Sequence, residues 1–233
     1  MSFIGPIHKA AREGNVAALR RLLAEGVSPD ALDDNPGVRW TPLLHLLERY
    51  DGDDSATSDH VACFKLLHEA GANLEARTAS HTVLHFAAKG RTRILSLLLE
   101  AGVNVNVTNY GGYTPLHWAA RGDLGVRRST ECVELLLKAG AAVNVRGQGG
   151  STPFDVALRR GTLRRMWPVF LRAGADIPTN NTDQYIVRVR NAGGFKKYAQ
   201  AHLARLTAIL ETPLLPPELV RKILEFWLHA GYY

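Results

Sequence analysis

One seven-residue phrase recurs along this chain and constrains its fold more than any other feature. Thr41-Pro42-Leu43-Leu44-His45-Leu46-Leu47, Thr82-Val83-Leu84-His85-Phe86-Ala87-Ala88, Thr114-Pro115-Leu116-His117-Trp118-Ala119-Ala120 and Thr152-Pro153-Phe154-Asp155-Val156-Ala157-Leu158 align residue for residue, after a degenerate copy at Gly5-Pro6-Ile7-His8-Lys9-Ala10-Ala11. The copies start at residues 5, 41, 82, 114 and 152, so they lie 36, 41, 32 and 38 residues apart. Each leads into a leucine-rich segment that closes on glycine: Leu22-Leu23 to Gly26, Leu66-Leu67 to Gly71, Leu97-Leu98-Leu99 to Gly102, Leu135-Leu136-Leu137 to Gly140, and Phe170-Leu171 to Gly174. Units of about 33 residues cannot bury their apolar faces singly, so the chain is expected to stack them into a solenoid with a long presenting surface.

These motifs resemble the ankyrin repeat across residues 3–181. The resemblance implies an all-α solenoid of five helix-turn-helix repeats with β-turn fingers. Their bounds are 3–36, 37–77, 78–109, 110–147 and 148–181 within a domain over 1–181, and a C-terminal helical tail fills 182–233. Departures from the common period read as loop insertions and trims. Fold follows from such a resemblance, whereas function does not.

One repeat can be read from physics alone. Thr82 can cap a first helix through its hydroxyl, and Ala87-Ala88 lets neighbouring helices approach closely. Leu97, Leu98 and Leu99 belong to a second helix apolar enough to be buried between repeats, ended by Gly102 in the left-handed region. Val103-Asn104-Val105-Asn106 reads as an extended run and Tyr110-Gly111-Gly112-Tyr113 as a tight turn. The resemblance makes that stretch the finger.

At 233 residues and 46% hydrophobic content the chain can bury a continuous core with no globular boundary. No window approaches the roughly 20 apolar residues that span a bilayer, and Met1 to Gly14 has no long apolar run. The expectation is a soluble, monomeric, intracellular protein, cytoplasmic with the nucleus open to it. Cys63 and Cys132 fall at nearly the same repeat position two repeats apart, beyond the roughly 7 Å limit of a disulfide, and read as small buried hydrophobes.

Charge is uneven. Lys and Arg against Asp and Glu number 11 and 13 in residues 1–116 (net −2) and 17 and 9 in residues 117–233 (net +8). Arg159, Arg160, Arg164 and Arg165 form the densest cluster. Two readings stand, an acidic partner met by the C-terminal half or a merely solvated basic face.

The array departs from its pattern in four places. Asp51 to Asp59 reads as an exposed acidic loop, with calcium the sharper alternative although the spacing is not that of an EF-hand. Asp123 to Thr130 reads as a basic insertion. Asp155 replaces the recurring histidine, and Pro168 lies where a second helix must start late or kink. After residue 181, Phe195 to Leu210 has helical periodicity, and a further helix is expected from Pro216-Pro217 through Trp227.

That tail is first of all a cap for the last exposed repeat. Leu215 to Leu224 also resembles the opening helix of an F-box, which implies docking to a cullin-type ubiquitin ligase adaptor through Leu219, Ile223 and Trp227. Only 19 residues, 215–233, are present, short of a complete F-box. The SOCS box, another adaptor module that carries Leu-Pro-Pro, fits less well.

Catalysis has no support. There is no HExxH, CxxC or phosphate loop, no nucleophile with a base, and no cofactor or metal motif. His8, His85 and His117 occupy the motif position, where the resemblance implies hydrogen bonds to loop backbone. Gly147-Gln148-Gly149-Gly150 lacks the βαβ setting of a nucleotide cradle.

Binding is better supported. The resemblance places the residue after the Ala-Ala pair in a concave groove, and that column reads Arg12, Glu48, Lys89, Arg121 and Arg159. Trp40, His81, Tyr110 and Tyr113 stand on fingers, and Trp118 follows His117. Aromatic and Arg side chains are frequent hot spots. These residues make a candidate site for a partner protein, expected to be acidic, against the alternative of an ordinary solvated face. Three functions follow: a non-catalytic interaction module, a substrate-recognition subunit of a ubiquitin ligase, and nucleic-acid binding, which pI 9.5 raises but no base-stacking motif supports.

Overall fold

The computed structural model describes residues 4–34, 39–48, 56–78, 80–123 and 125–210, together with 216, 218, 219 and 222. Helices come in pairs: α1 (Pro6–Glu13) with α2 (Val16–Ala24), α3 (Pro42–Glu48) with α4 (Ala56–Glu69), and α5 (Val83–Ala87) with α6 (Thr92–Glu100). Next come α7 (Pro115–Ala119) with α8 (Val126–Lys138), α9 (Pro153–Arg159) with α10 (Trp167–Arg172), and α11 (Gln184–Asn191) with α12 (Phe195–Leu210). First helices α1, α3, α5, α7 and α9 pack in sequence, and second helices α2, α4, α6, α8, α10 and α12 form a parallel row. This is the expected solenoid.

Small residues let the first helices approach: Ala11, Ala88, Ala120 and Ala157 are wholly buried. The second helices fill the space between repeats with Leu19, Phe64, Leu67, Leu95, Leu98, Cys132, Leu136 and Phe170. Burial of each large apolar side chain contributes about 1.5–3 kcal/mol. Both cysteines are free and buried, and desolvation pushes the Cys63 thiol up to about 11 and that of Cys132 to about 12. They are inert packing groups. Gly26, Gly71, Gly102, Gly140 and Gly174 end the second helices at φ between 78° and 88°, a conformation that costs other residues strain.

The motif histidine ties each repeat to the next. His85 Nδ1 accepts from the Thr82 amide at 3.3 Å and the Thr82 hydroxyl at 2.9 Å, while Nε2–H donates to the Tyr113 carbonyl at 2.9 Å. An amide can only donate and a carbonyl can only accept, so the ring must be neutral and protonated on Nε2. His117 repeats the pattern on Thr114 and the Ser151 carbonyl, the latter at 3.1 Å. His8 reaches the Ala31 carbonyl at 2.7 Å. His45 differs, with Nε2 2.8 Å from Oδ2 of the buried Asp33 in the preceding finger.

Asp155 explains where the row of first helices stops. Its carboxylate accepts from the Thr152 amide and hydroxyl, both at 2.9 Å, and so caps α9 as His85 and His117 cap their own helices. It is too short to reach another unit. Among the described residues α11 packs on α12 and not on α9, and it buries Ile186 and Val189.

Several expectations need correction. Asp123 to Thr130 is no loop: α8 runs from Val126, so the added residues lengthen a helix and place Arg127 and Arg128 in its first turns. The second repeat likewise has a long α4, and its acidic stretch before Ala56 lies outside the described residues. Pro168 needs no correction: it sits in the first turn of α10, which starts late, one of the two expected outcomes, after a 3-10 turn over Gly161–Met166.

A turn at Val105-Asn106 breaks the extended run expected over Val103 to Asn106. Asn106 accepts from the Ala142 amide at 2.8 Å, Asn144 from Asp176 at 2.9 Å, and Asp30 from Asn73 at 3.0 Å, a second inter-repeat ladder. In the tail α12 is present, but α11 was not foreseen. Ile223 and Trp227 lie outside the described residues.

Burial drives the His85 pKa down to about 4 from 6.5, overriding the raising effect of the Tyr113 carbonyl. His8 and His117 are lowered with the same leading cause. The unfolded chain therefore binds protons that the folded chain refuses, so stability is full above about pH 6.5 and falls as pH drops toward 4. The His85 share is on the order of 3 kcal/mol. Urea midpoints should fall steeply between pH 7 and about 4.5, and less steeply in His85→Gln, which starts lower. A wild-type midpoint that stays constant would refute the neutral relay.

Candidate functional site

Each finger closes on itself just before the motif threonine: Asp33 N–H donates to the Trp40 carbonyl (3.1 Å), Thr78 to His81 (2.8 Å), Asn109 to Tyr113 (3.0 Å) and Gly147 to Ser151 (3.0 Å). This puts Trp40, His81 and Tyr113 at equivalent places, each leaning toward the first helix of its own or the following repeat. The Trp40 ring lies 5.7 Å from Phe86, and His81 lies 4.5 Å from Trp118, edge to face. His81 also meets Phe86 at 5.8 Å, so four rings run without a break across three repeats.

Lys89 closes over this row. Its Nζ stands 4.5 Å from the Trp118 ring centre and 5.2 Å from that of Phe86, and the Arg121 guanidinium lies 5.1 Å from the Trp118 ring centre. Burial and the Arg121 charge hold the Lys89 pKa below its ordinary value, opposed by Asp123. His81 is lowered by burial and by the same two cations. Among the described residues no carboxylate lies within ion-pairing distance of Lys89.

Between the fourth and fifth repeats the groove deepens into a cavity of about 440 Å³, walled by Tyr113, Trp118, Arg121, Val156, Arg159 and Arg160. Arg121 pairs with Asp123 at 3.0 Å and Arg160 reaches the same carboxylate at 3.4 Å. Arg159 is held by the Asp155 carbonyl at 3.3 Å and the Ser151 hydroxyl at 2.5 Å.

The structure thus gathers Trp40, His81, Lys89, Trp118, Arg121 and Arg159 along one face. Tyr113 is a wall of that face: its hydroxyl donates to the Gln148 carbonyl at 2.8 Å. Tyr110 stands apart on a finger, 82% exposed. Leu219 is 49% exposed, and the other two tail positions, Ile223 and Trp227, fall outside the described residues. Phe86, Asp123 and Arg160 join the face without having been singled out for it. Phe86 was legible, because it aligns with Trp118; the Asp123 bridge was not, because it spans two repeats.

The ankyrin-repeat family model matches residues 5–34 once and residues 53–147 in three copies. The chain belongs to the ankyrin-repeat family. Neither match extends past residue 147, so the fifth pair, α9 with α10, and the tail lie outside both. Human ankyrin repeat and SOCS box protein 3 is 37% identical over 112 residues, covering 46% of this chain and 19% of that protein. The chicken nuclear factor NF-kappa-B p105 subunit is 32% identical over 118 residues, or 49% and 11% of the two chains. Mouse protein phosphatase 1 regulatory subunit 12A is 58% identical over 40 residues, or 17% and 4%. The alignments span a fifth or less of these three relatives. Among the described residues no helix is long and apolar enough to cross a membrane, and no group of three or more His, Cys, Asp or Glu is placed to hold a metal ion.

The Tyr113 ring leans on Gly147 so closely that a Cβ there would lie 2.6 Å from it. Gly147→Ala should therefore cost about 1–3 kcal/mol by overpacking. Tyr113→Ala in the same chain should remove most of that cost, giving a coupling in a double-mutant urea cycle. Additive losses would show that the two fingers do not meet.

Proposed function

We propose that this protein is a non-catalytic interaction module whose concave face binds an extended, acidic segment of a partner protein. The observation that carries the reading is Lys89. It is half-buried against two aromatic faces beside Arg121, and among the described residues no carboxylate lies within ion-pairing distance of it. Cation–π contact supplies about 0.5–2 kcal/mol toward holding such a charge, and a carboxylate from a partner would complete it. Aromatic and arginine side chains in a partly desolvated groove are the usual anchors of interfaces.

A second reading keeps the groove and adds ligase docking through the tail. It is favoured by the exposure of Leu219 and by similarity to a relative named for its SOCS box. Leu219→Ala should then abolish capture of a purified cullin adaptor while leaving groove binding intact. Equal capture by both forms removes that reading.

The groove is tested by selecting peptides from a displayed random library on wild type and on Lys89→Glu/Arg121→Glu. Wild type should enrich Asp and Glu, and the double variant should bind the selected peptides at least about 10-fold more weakly at low salt. Its melting temperature should drop by only a few degrees, because the lost contacts are partly exposed. Selected peptides without acidic enrichment, or unchanged affinity in the variant, would remove the proposal.

A further inference from the structure

The cavity between the fourth and fifth repeats carries a charge and a shape that an acidic side chain does not match. Arg121 follows α7, while Arg159 and Arg160 close α9, so three guanidinium groups from two repeats meet at one opening. One carboxylate is already there, Asp123, at 3.0 Å from Arg121 Nε and 3.4 Å from Arg160 Nη2. Three cations against one carboxylate leave two positive charges facing the opening. The remaining walls are the Trp118 indole, the Tyr113 ring, Val156, Asn109 and the neutral His117 imidazole, around a volume of about 440 Å³.

An aspartate or glutamate of the partner brings one charge and almost no apolar surface to such a space. A phosphodiester brings one charge per phosphate and leaves the indole uncovered. A phosphoryl group on an aromatic ring brings about 1.5–2 negative charges at neutral pH and three acceptor oxygens, which matches both the charge and the forked donors. We propose that this pocket takes a phosphorylated tyrosine of a partner segment, its ring against Trp118 and Tyr113 and its phosphoryl group among Arg121, Arg159 and Arg160. The site rests on the groove reading for the partner segment, but its chemistry is separate from Lys89.

Asp123 has two effects in this arrangement. It bridges Arg121 and Arg160 across the repeat boundary and so holds them near the opening. Its charge also opposes the incoming anion. Removing that charge while keeping the side chain's shape, as in Asp123→Asn, should tighten anion binding, an outcome that damage to the fold would not produce.

The test follows the Trp118 indole signal of the ¹⁵N-labelled full chain by NMR, assigned by its loss in Trp118→Phe. Phenyl phosphate, inorganic phosphate, phenylacetate and a single-stranded thymidine oligonucleotide are titrated separately. Phenyl phosphate should shift the signal with a Kd at least about 10-fold below those of inorganic phosphate and phenylacetate. Arg159→Gln and Arg160→Gln should each weaken it about 5-fold or more, and Asp123→Asn should tighten it about 3-fold. Equal binding of inorganic phosphate would show that no ring enters, and equal binding of phenylacetate would show a site for a single carboxylate. An oligonucleotide that binds more tightly than phenyl phosphate would make the face a nucleic-acid surface. Each of these three results overturns the phosphotyrosine site. The first two leave the acidic groove standing, since that is decided by the acidic enrichment of the selected peptides.

Discussion

The boundaries from the third repeat to the fourth and from the fourth to the fifth depend on one hydrogen-bonding side chain buried at the head of a first helix, a neutral imidazole. On one side it accepts hydrogen bonds from the threonine that caps its own helix; on the other it donates one to the backbone of the next finger. A buried carbonyl left unpaired costs about 1–3 kcal/mol, so the ring satisfies helix end and finger together. It also fixes the distance from one finger to the next. The groove inherits its spacing from that distance.

The aromatic row sits on this frame. Trp40, His81 and Tyr113 immediately precede the capping threonines, while Phe86 and Trp118 follow the histidines, so the same short motif that locks the repeats also presents the rings. Lys89 and Arg121 then lie three residues beyond Phe86 and Trp118, one turn along the chain, where the Lys89 ammonium stands over both rings and the Arg121 guanidinium over that of Trp118. Desolvation of Lys89 works against this placement, and the electron-rich faces of Phe86 and Trp118 work for it.

At the C-terminal end the array changes partner. With Asp155 in the histidine position, the fifth cap is satisfied within its own repeat, and nothing extends from it to a further first helix. The second helices continue instead, α12 packing on α10, with Tyr185 between Trp167 (6.3 Å) and Tyr198 (5.7 Å). Arg164 pairs with Asp183 at the start of α11, which anchors that helix to the 3-10 turn. The cap foreseen from the exposed fifth repeat is therefore present, but a different helix begins it.

The sequence by itself determined the repeat, its helix pairs, the caps, the glycine ends and the cationic column, because each is written in residues close along the chain and copied from unit to unit. It also placed Cys63 and Cys132 in the core and required α10 either to start late or to kink at Pro168. Only the tertiary structure decided what crosses a boundary. The Asn106 and Asn144 ladder, the Tyr113 hydroxyl on Gln148, the Asp123 bridge and the packing of His81 on Trp118 join residues 30 or more apart. Helix α11 escaped notice for a related reason: its polar face outweighs Ile186 and Val189 in sequence, and those two side chains acquire a place to bury only when the neighbouring helices are already stacked.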